Sequence, residues 1–99
     1  MVGVAPIRNE IVAVGTTAVL ISNAKSRKNI YFRNCSTGGE VITVQFSNVG
    51  VAVANTGYIL NPNEYISDSD SGSNYDAWDG IITAISTGGG QLTVVERVR

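Results

Sequence analysis

The chain has 99 residues, 43% of them apolar and only 15% charged, against about a quarter charged in an average soluble domain. Seven basic and eight acidic side chains leave a formal charge of -1, which argues against binding nucleic acid by neutralising phosphates. With no histidine and a single cysteine, Ser-His-Asp and Cys-His catalysis, zinc sites of the usual composition and an intrachain disulfide are excluded.

In chain order, Met1 to Ile7 is apolar, with Gly3 and Pro6 and no clean period, and Glu10 to Val14 reads as a first strand. Residues 1–14 are therefore expected to be an N-terminal arm or edge strand that could exchange with a neighbour, ahead of a β-sandwich domain over 15–99. Thr17 to Ile21 resumes the strand pattern with both faces apolar. After the polar stretch Ser22–Lys28, Asn29 to Arg33 points Ile30 and Phe32 one way and Tyr31 and Arg33 the other, the two-residue period of a strand with one buried face. Val41 to Phe46 repeats the pattern, with Ile42, Val44 and Phe46 set against the same core. Three strands in about thirty residues predict an antiparallel meander from Thr17 to Phe46.

Val49 to Asn55 is small and uncharged, suited either to covering the mouth of the domain or to a subunit contact. Pro62, between Asn61 and Asn63, marks a tight turn between short strands Tyr58–Leu60 and Glu64–Ser67. A long polar loop follows from Asp68 to Asp76. Ile81–Ile85 and Leu92–Arg97 then read as a closing hairpin across the glycine-rich turn Gly88–Gly90. No stretch has helical spacing with caps. Seven or eight short strands with frequent turns predict an all-β fold, an antiparallel β-sandwich of jelly-roll type. The apolar runs are too short to span a bilayer as helices, and no secretory signal is expected.

Lys25, Arg27, Lys28, Tyr31 and Arg33 concentrate cationic and aromatic groups on or beside one strand, and they are the candidate protein-contact residues. The same mixture suits a single-strand platform, but four basic residues on a nearly neutral domain make nucleic acid the weaker reading. Acidic residues gather instead between Glu64 and Asp79, and copies could attract head to tail if the fold places the two clusters on different edges. Asp68, Asp70, Asp76 and Asp79 fall at positions 1, 3, 9 and 12 of a window resembling a calcium loop. Ser73 replaces the glycine at position six and no helix flanks the window, so neither metal nor cofactor is expected. No environment that would raise a carboxyl pKa is evident, so no acid–base catalysis is expected. Tyr58, Tyr65, Tyr75 and Trp78 supply aromatic planes in the second half, and Tyr75 and Trp78 are candidate ligand or loop contacts.

Taken together, Thr16–Ile21, Ser26–Asn34, Tyr58–Glu64, Trp78–Ile85 and Leu92–Glu96 resemble the order of elements in small β-sandwich virion accessory proteins of tailed bacteriophages. These are capsid decoration or cement proteins and related head–tail proteins. The resemblance covers most of residues 15–97, with Asn63 where such proteins carry glycine. In that family Arg27, Asn29 and Arg33 would belong to the strand-start pattern, and Trp78 and Gly80 to the entry of the final hairpin. The resemblance implies a non-enzymatic homo-oligomer, a trimer, made in the host cytoplasm. On the virion it would bind the major capsid protein at the capsid surface, without membrane contact. The alternative is a carbohydrate- or host-surface-binding module of a virion.

Overall fold

The computed structural model describes residues 7–71 and 76–98. They form eight strands: β1 (Ile7–Val14), β2 (Val19–Ser22), β3 (Arg27–Asn34), β4 (Ile42–Phe46), β5 (Tyr58–Leu60), β6 (Tyr65–Ser69), β7 (Ile82–Ser86) and β8 (Gly90–Val98). Two four-stranded antiparallel sheets result, one in the order β1-β8-β3-β6 and the other β2-β7-β4-β5. The pairs β1·β8, β2·β7, β3·β6 and β4·β5 are those of one long two-stranded ribbon with β4 and β5 at its tip. Wrapping that ribbon so that alternate pairs fall in opposite sheets produces a jelly roll.

This topology corrects two expectations from local pattern. β2, β3 and β4 do not form a meander, because β3 lies in one sheet and β2 and β4 in the other. Nor do β7 and β8 form a hairpin; the chain crosses between sheets at Thr87–Gly89. Period-two alternation reports which side of a strand is buried, and a strand of either sheet satisfies it equally. The predicted strand Glu64–Ser67 is also longer than expected at its far end, so Asp68 and Ser69 belong to β6 instead of the following loop.

The core lies where the inner faces meet. Ile30, Phe32, Leu92 and Val94 from the first sheet pack against Ile21, Ile42, Val44, Ile82 and Ala84 from the second. Burying each of the larger side chains contributes about 1.5–3 kcal/mol. Val14 and Leu60 close the far end, while Phe46, half-buried, meets Phe32 edge-on near the opposite end, with ring centroids 6.0 Å apart.

Two register shifts break the alternation. In β2, Leu20 pairs with Thr83 and Ser22 with Ile82, leaving Ile21 as an extra residue. Ile21 and Ser22 are consequently both buried. In β3, Arg27 pairs with Val98 and Asn29 with Arg97, leaving Lys28 extra. An added residue reverses side-chain parity on its far side. Arg27 therefore turns inward and Lys28 is exposed.

The link from β4 to β5 folds back over the outer face of its own sheet. Thr43 and Thr83 point outward yet are buried beneath it, and their hydroxyl oxygens accept the N–H groups of Asn55 (3.1 Å) and Ala52 (2.8 Å). The turn after β5 places Asn63 at φ 70° with Glu64 N–H donating to the Asn61 carbonyl at 2.9 Å. Asparagine tolerates this left-handed conformation better than most residues.

Candidate functional site

Arg27 does not serve as a surface contact. Its side chain is 0% exposed, and all five of its N–H donors are spent inside the molecule. Nε donates to Glu96 Oε2 at 2.5 Å, Nη1 to the carbonyls of Trp78 (2.8 Å) and Gly80 (2.9 Å), and Nη2 to Ser22 Oγ (2.9 Å) and the Asn23 carbonyl (2.6 Å). Glu96, 2% exposed, also accepts from Ser22 Oγ at 2.7 Å and from Lys25 Nζ at 3.1 Å. Arg8 reaches the same end, donating to the Ile21 carbonyl at 2.7 Å and standing 3.7 Å from Glu96. Burial alone would push the Glu96 carboxyl up. Hydrogen bonds from Arg27, Ser22 and Lys25, with the guanidinium charge of Arg27, outweigh it and hold the carboxyl below its ordinary value of 4.5. This knot ties β2, β3, β8 and the segment before β7 together, and its role is structural. Glu96 shares the inward parity of Leu92 and Val94, so a charged side chain on a core-facing position was the sequence signal for a buried partner.

Tyr31 and Arg33 lie on the outer face of the β1-β8-β3-β6 sheet. Ile11, Thr93, Arg33 and Tyr65 stand in register straight across its four strands. The Tyr31 and Tyr65 rings stack 5.6 Å apart, and Arg33 donates to Asn63 Oδ1 at 3.2 Å. Ile11 and Tyr65 are each about two-thirds exposed. The result is a flat face of aliphatic and aromatic groups carrying an exposed cation. Lys28 is exposed at the bulge beside it, whereas Lys25 is turned toward Glu96.

On the opposite side, the β4–β5 link presents a ridge. With Ala52 buried against the sheet, Val49, Val51 and Val53 alternate outward, exposed by 98%, 60% and 57%. Half-exposed Leu20 of β2 stands beside them, and Ala18, Val19 and Ile81 complete a shallow apolar groove. Val49 to Asn55 is expected from the sequence either to cover the mouth of the domain or to make a subunit contact; the structure lays this stretch over the outer face of its own sheet, where Ala52 and Asn55 donate to Thr83 and Thr43.

Trp78 stands at the mouth of the sandwich, between the free edges of β5 and β6. Its ring stacks on Phe46 (centroids 6.3 Å apart, planes at 15°), and Tyr58 meets Phe46 at 5.3 Å with the planes tilted by 49°. Trp78 Nε1 donates to the Ile81 carbonyl at 3.2 Å. Asp68 and Asp70 accept the main-chain N–H groups of Trp78 and Ala77, both at 2.8 Å. A Cβ on Gly80 would lie 2.4 Å from the Trp78 ring, so only glycine lets the indole settle there. These rings and carboxylates border a cleft of about 600 Å³ that includes Thr56, Gly57, Ser67 and Asp76. Tyr75 lies outside the described residues.

The basic and acidic segments do not occupy different edges. β3 and β6 are neighbours, and Lys25 N–H donates to the Asp79 carbonyl at 2.9 Å, so the head-to-tail attraction loses its geometric basis. Among the described residues no group of three or more acidic or sulfur side chains converges as a metal site would require. Cys35 Sγ accepts from the Thr93 hydroxyl at 3.3 Å and donates to the Gln91 carbonyl at 3.4 Å. In comparisons with family models, curated proteins and solved structures, nothing matched this chain.

Proposed function

We propose that the protein is a structural virion component that self-associates and binds an assembled capsid surface, stabilising the particle without catalysis. The observation that carries this reading is the pair of exposed non-polar surfaces on opposite sides of so small a sandwich. The uncharged ridge of Val49, Val51, Val53 and Leu20 has the composition of a contact between copies, where apolar groups dominate and charge is depleted. The Ile11–Tyr31–Arg33–Tyr65 face mixes aromatic rings with an arginine, a composition suited to a second protein partner, here the capsid subunit. Among the described residues the two buried charged groups, Arg27 and Glu96, are consumed by the fold, which leaves recognition to these outer faces. The order of elements in the sequence, similar to that of phage decoration proteins, points the same way.

Sedimentation equilibrium tests the self-association. The parent chain is expected to be a trimer, with each contact burying more than about 1,000 Å². Val51→Lys should dissociate it while leaving the far-ultraviolet circular dichroism unchanged, since Val51 makes no core contact. A parent chain that stays monomeric at high concentration would exclude the reading.

A further inference from the structure

The outer face of the β1-β8-β3-β6 sheet carries charge of one sign. We infer, resting on the reading of this face as the capsid contact, that its partner presents an acidic protein surface, with carboxylates that pair with Arg33 and Arg97 and with Lys28 adding to the attraction.

The chain has eight acidic and seven basic side chains, and the two sides of this sheet divide them unequally. Glu10 of β1, Glu96 of β8 and Asp68 of β6 share the inward parity of Val12, Val94 and Ile66, which pack on the core. Alternation therefore leaves no carboxylate at an outward position of any of the four strands. Arg33 and Arg97 hold outward positions on adjacent strands instead. Lys28 is exposed at the bulge, where its neighbour Asn29 pairs with Arg97. The other described cations, Arg8, Lys25 and Arg27, all converge on Glu96. Among the described residues Arg33, Arg97 and Lys28 form no ion pair. A chain of net charge -1 thus presents a positive field on one flat face.

The acids nearest its rim are turned to other tasks. Glu64, beside Tyr65, accepts the N–H of Asn61 at 2.7 Å and its Nδ2 at 2.9 Å. Asp70 donates its N–H to the Lys28 carbonyl but directs its carboxylate to the N–H of Ala77. Arg33 is oriented by the bond from Nη2 to Asn63 Oδ1, while its Nε and Nη1 make no hydrogen bond among the described residues. Those donors remain for a carboxylate, and charge-assisted bonds of that kind are roughly twice as strong as neutral ones.

The aromatic groups favour protein over nucleic acid. Tyr31 and Tyr65 each spend one ring face on the other, whereas a single-strand platform offers its rings to the bases. Cations around an exposed Ile11 and Tyr65 suit a contact with an apolar centre and a charged rim better than a phosphate track.

The full chain is titrated by fluorescence anisotropy against a labelled glutamate–tyrosine copolymer, with a lysine–tyrosine copolymer and oligothymidylate as comparisons. The acidic copolymer should bind saturably and weaken roughly tenfold between about 50 and about 300 mM salt, as the exposed charges are screened. Arg33→Glu and Arg97→Gln should each weaken it roughly tenfold at the lower salt. Thr16→Glu combined with Thr17→Glu, which lowers the net charge as much as Arg33→Glu but in the exposed β1–β2 turn, should leave it unchanged. No saturable binding of the acidic copolymer, equal binding by the Arg33 and Arg97 variants, or tighter binding of either comparison polymer would each overturn the proposal. Capsid co-sedimentation is read separately. Capsid binding without copolymer binding would keep the capsid contact and refute its acidity, whereas copolymer binding without capsid binding would keep the acidic partner and refute the virion reading.

Discussion

At the scale of residues, Arg27 and Glu96 illustrate how a small domain tolerates buried charge. Removing two ions from water costs several kcal/mol each, and the cost is recovered only if every donor and lone pair finds a partner. Arg27 meets that condition through one carboxylate, one hydroxyl and three carbonyls. Arg27→Met leaves Glu96 in the interior without its principal partner and should destabilise the fold by about 3–5 kcal/mol in urea denaturation. Arg27→Met combined with Glu96→Leu should recover part of that loss. Full recovery is not expected, because the carbonyls of Asn23, Trp78 and Gly80 would still lack the donors that Arg27 supplies. A double variant as unstable as the single one would show that the ion pair is not the source of the effect. The same knot predicts a pH response. The Glu96 carboxyl titrates lower in the folded state than in the unfolded one, so ionised Glu96 contributes stability above about pH 4.5. That contribution is lost as pH falls through the folded-state value. Denaturation midpoints measured against pH should therefore fall steeply below 4.5 for the parent chain and more gently for Glu96→Gln.

At the scale of elements, the β4–β5 link behaves as a covering strap. Thr43 and Thr83 occupy outward positions of a sheet that would otherwise face solvent, and each hydroxyl oxygen receives a main-chain N–H from the strap. Thr83→Val conserves shape but leaves the buried N–H of Ala52 without an acceptor. The expected loss is about 1–3 kcal/mol, measured by urea denaturation, together with faster hydrogen exchange at Ala52. Loosening confined to the strap, with β7 and β8 still protected, would confirm that it is an accessory layer and not part of the folding core. The strap also creates the valine ridge: fixing Ala52 inward obliges Val51 and Val53 to face outward.

At the scale of the whole molecule, the jelly roll leaves a sandwich with one covered interior and two usable exteriors. One outer face is an open sheet bearing Ile11, Tyr31, Arg33 and Tyr65; the other is masked by the strap and its valines. β1 and β2 border one side and β5 and β6 the other, and the aromatic cleft opens between the latter pair. A trimer built through the ridge would leave the first face for a different partner. Tyr65→Glu is accordingly expected to abolish binding to capsids in a co-sedimentation assay while the protein remains trimeric. Loss of trimers in that variant would show that this face is the contact between copies instead.

The all-β class, the strand positions and most of the core were legible in the sequence, because burial of one strand face imposes a two-residue period that Ile30, Phe32, Ile42, Val44, Leu92 and Val94 display. The strain-tolerant Asn63 after Pro62 was legible for a similarly local reason. Only the tertiary structure decided which strands share a sheet, since alternation is blind to pairing partners separated by up to ninety residues, as Ile7 and Arg97 are. It likewise decided the fate of Arg27. Strict alternation from Ile30 sends Arg27 outward with Tyr31 and Arg33, and the single extra residue Lys28 reverses that direction. A bulge is set by the competing registers of two strands, so no local pattern announces it. The basic cluster that looked like one surface is therefore divided between a buried knot and an exposed face.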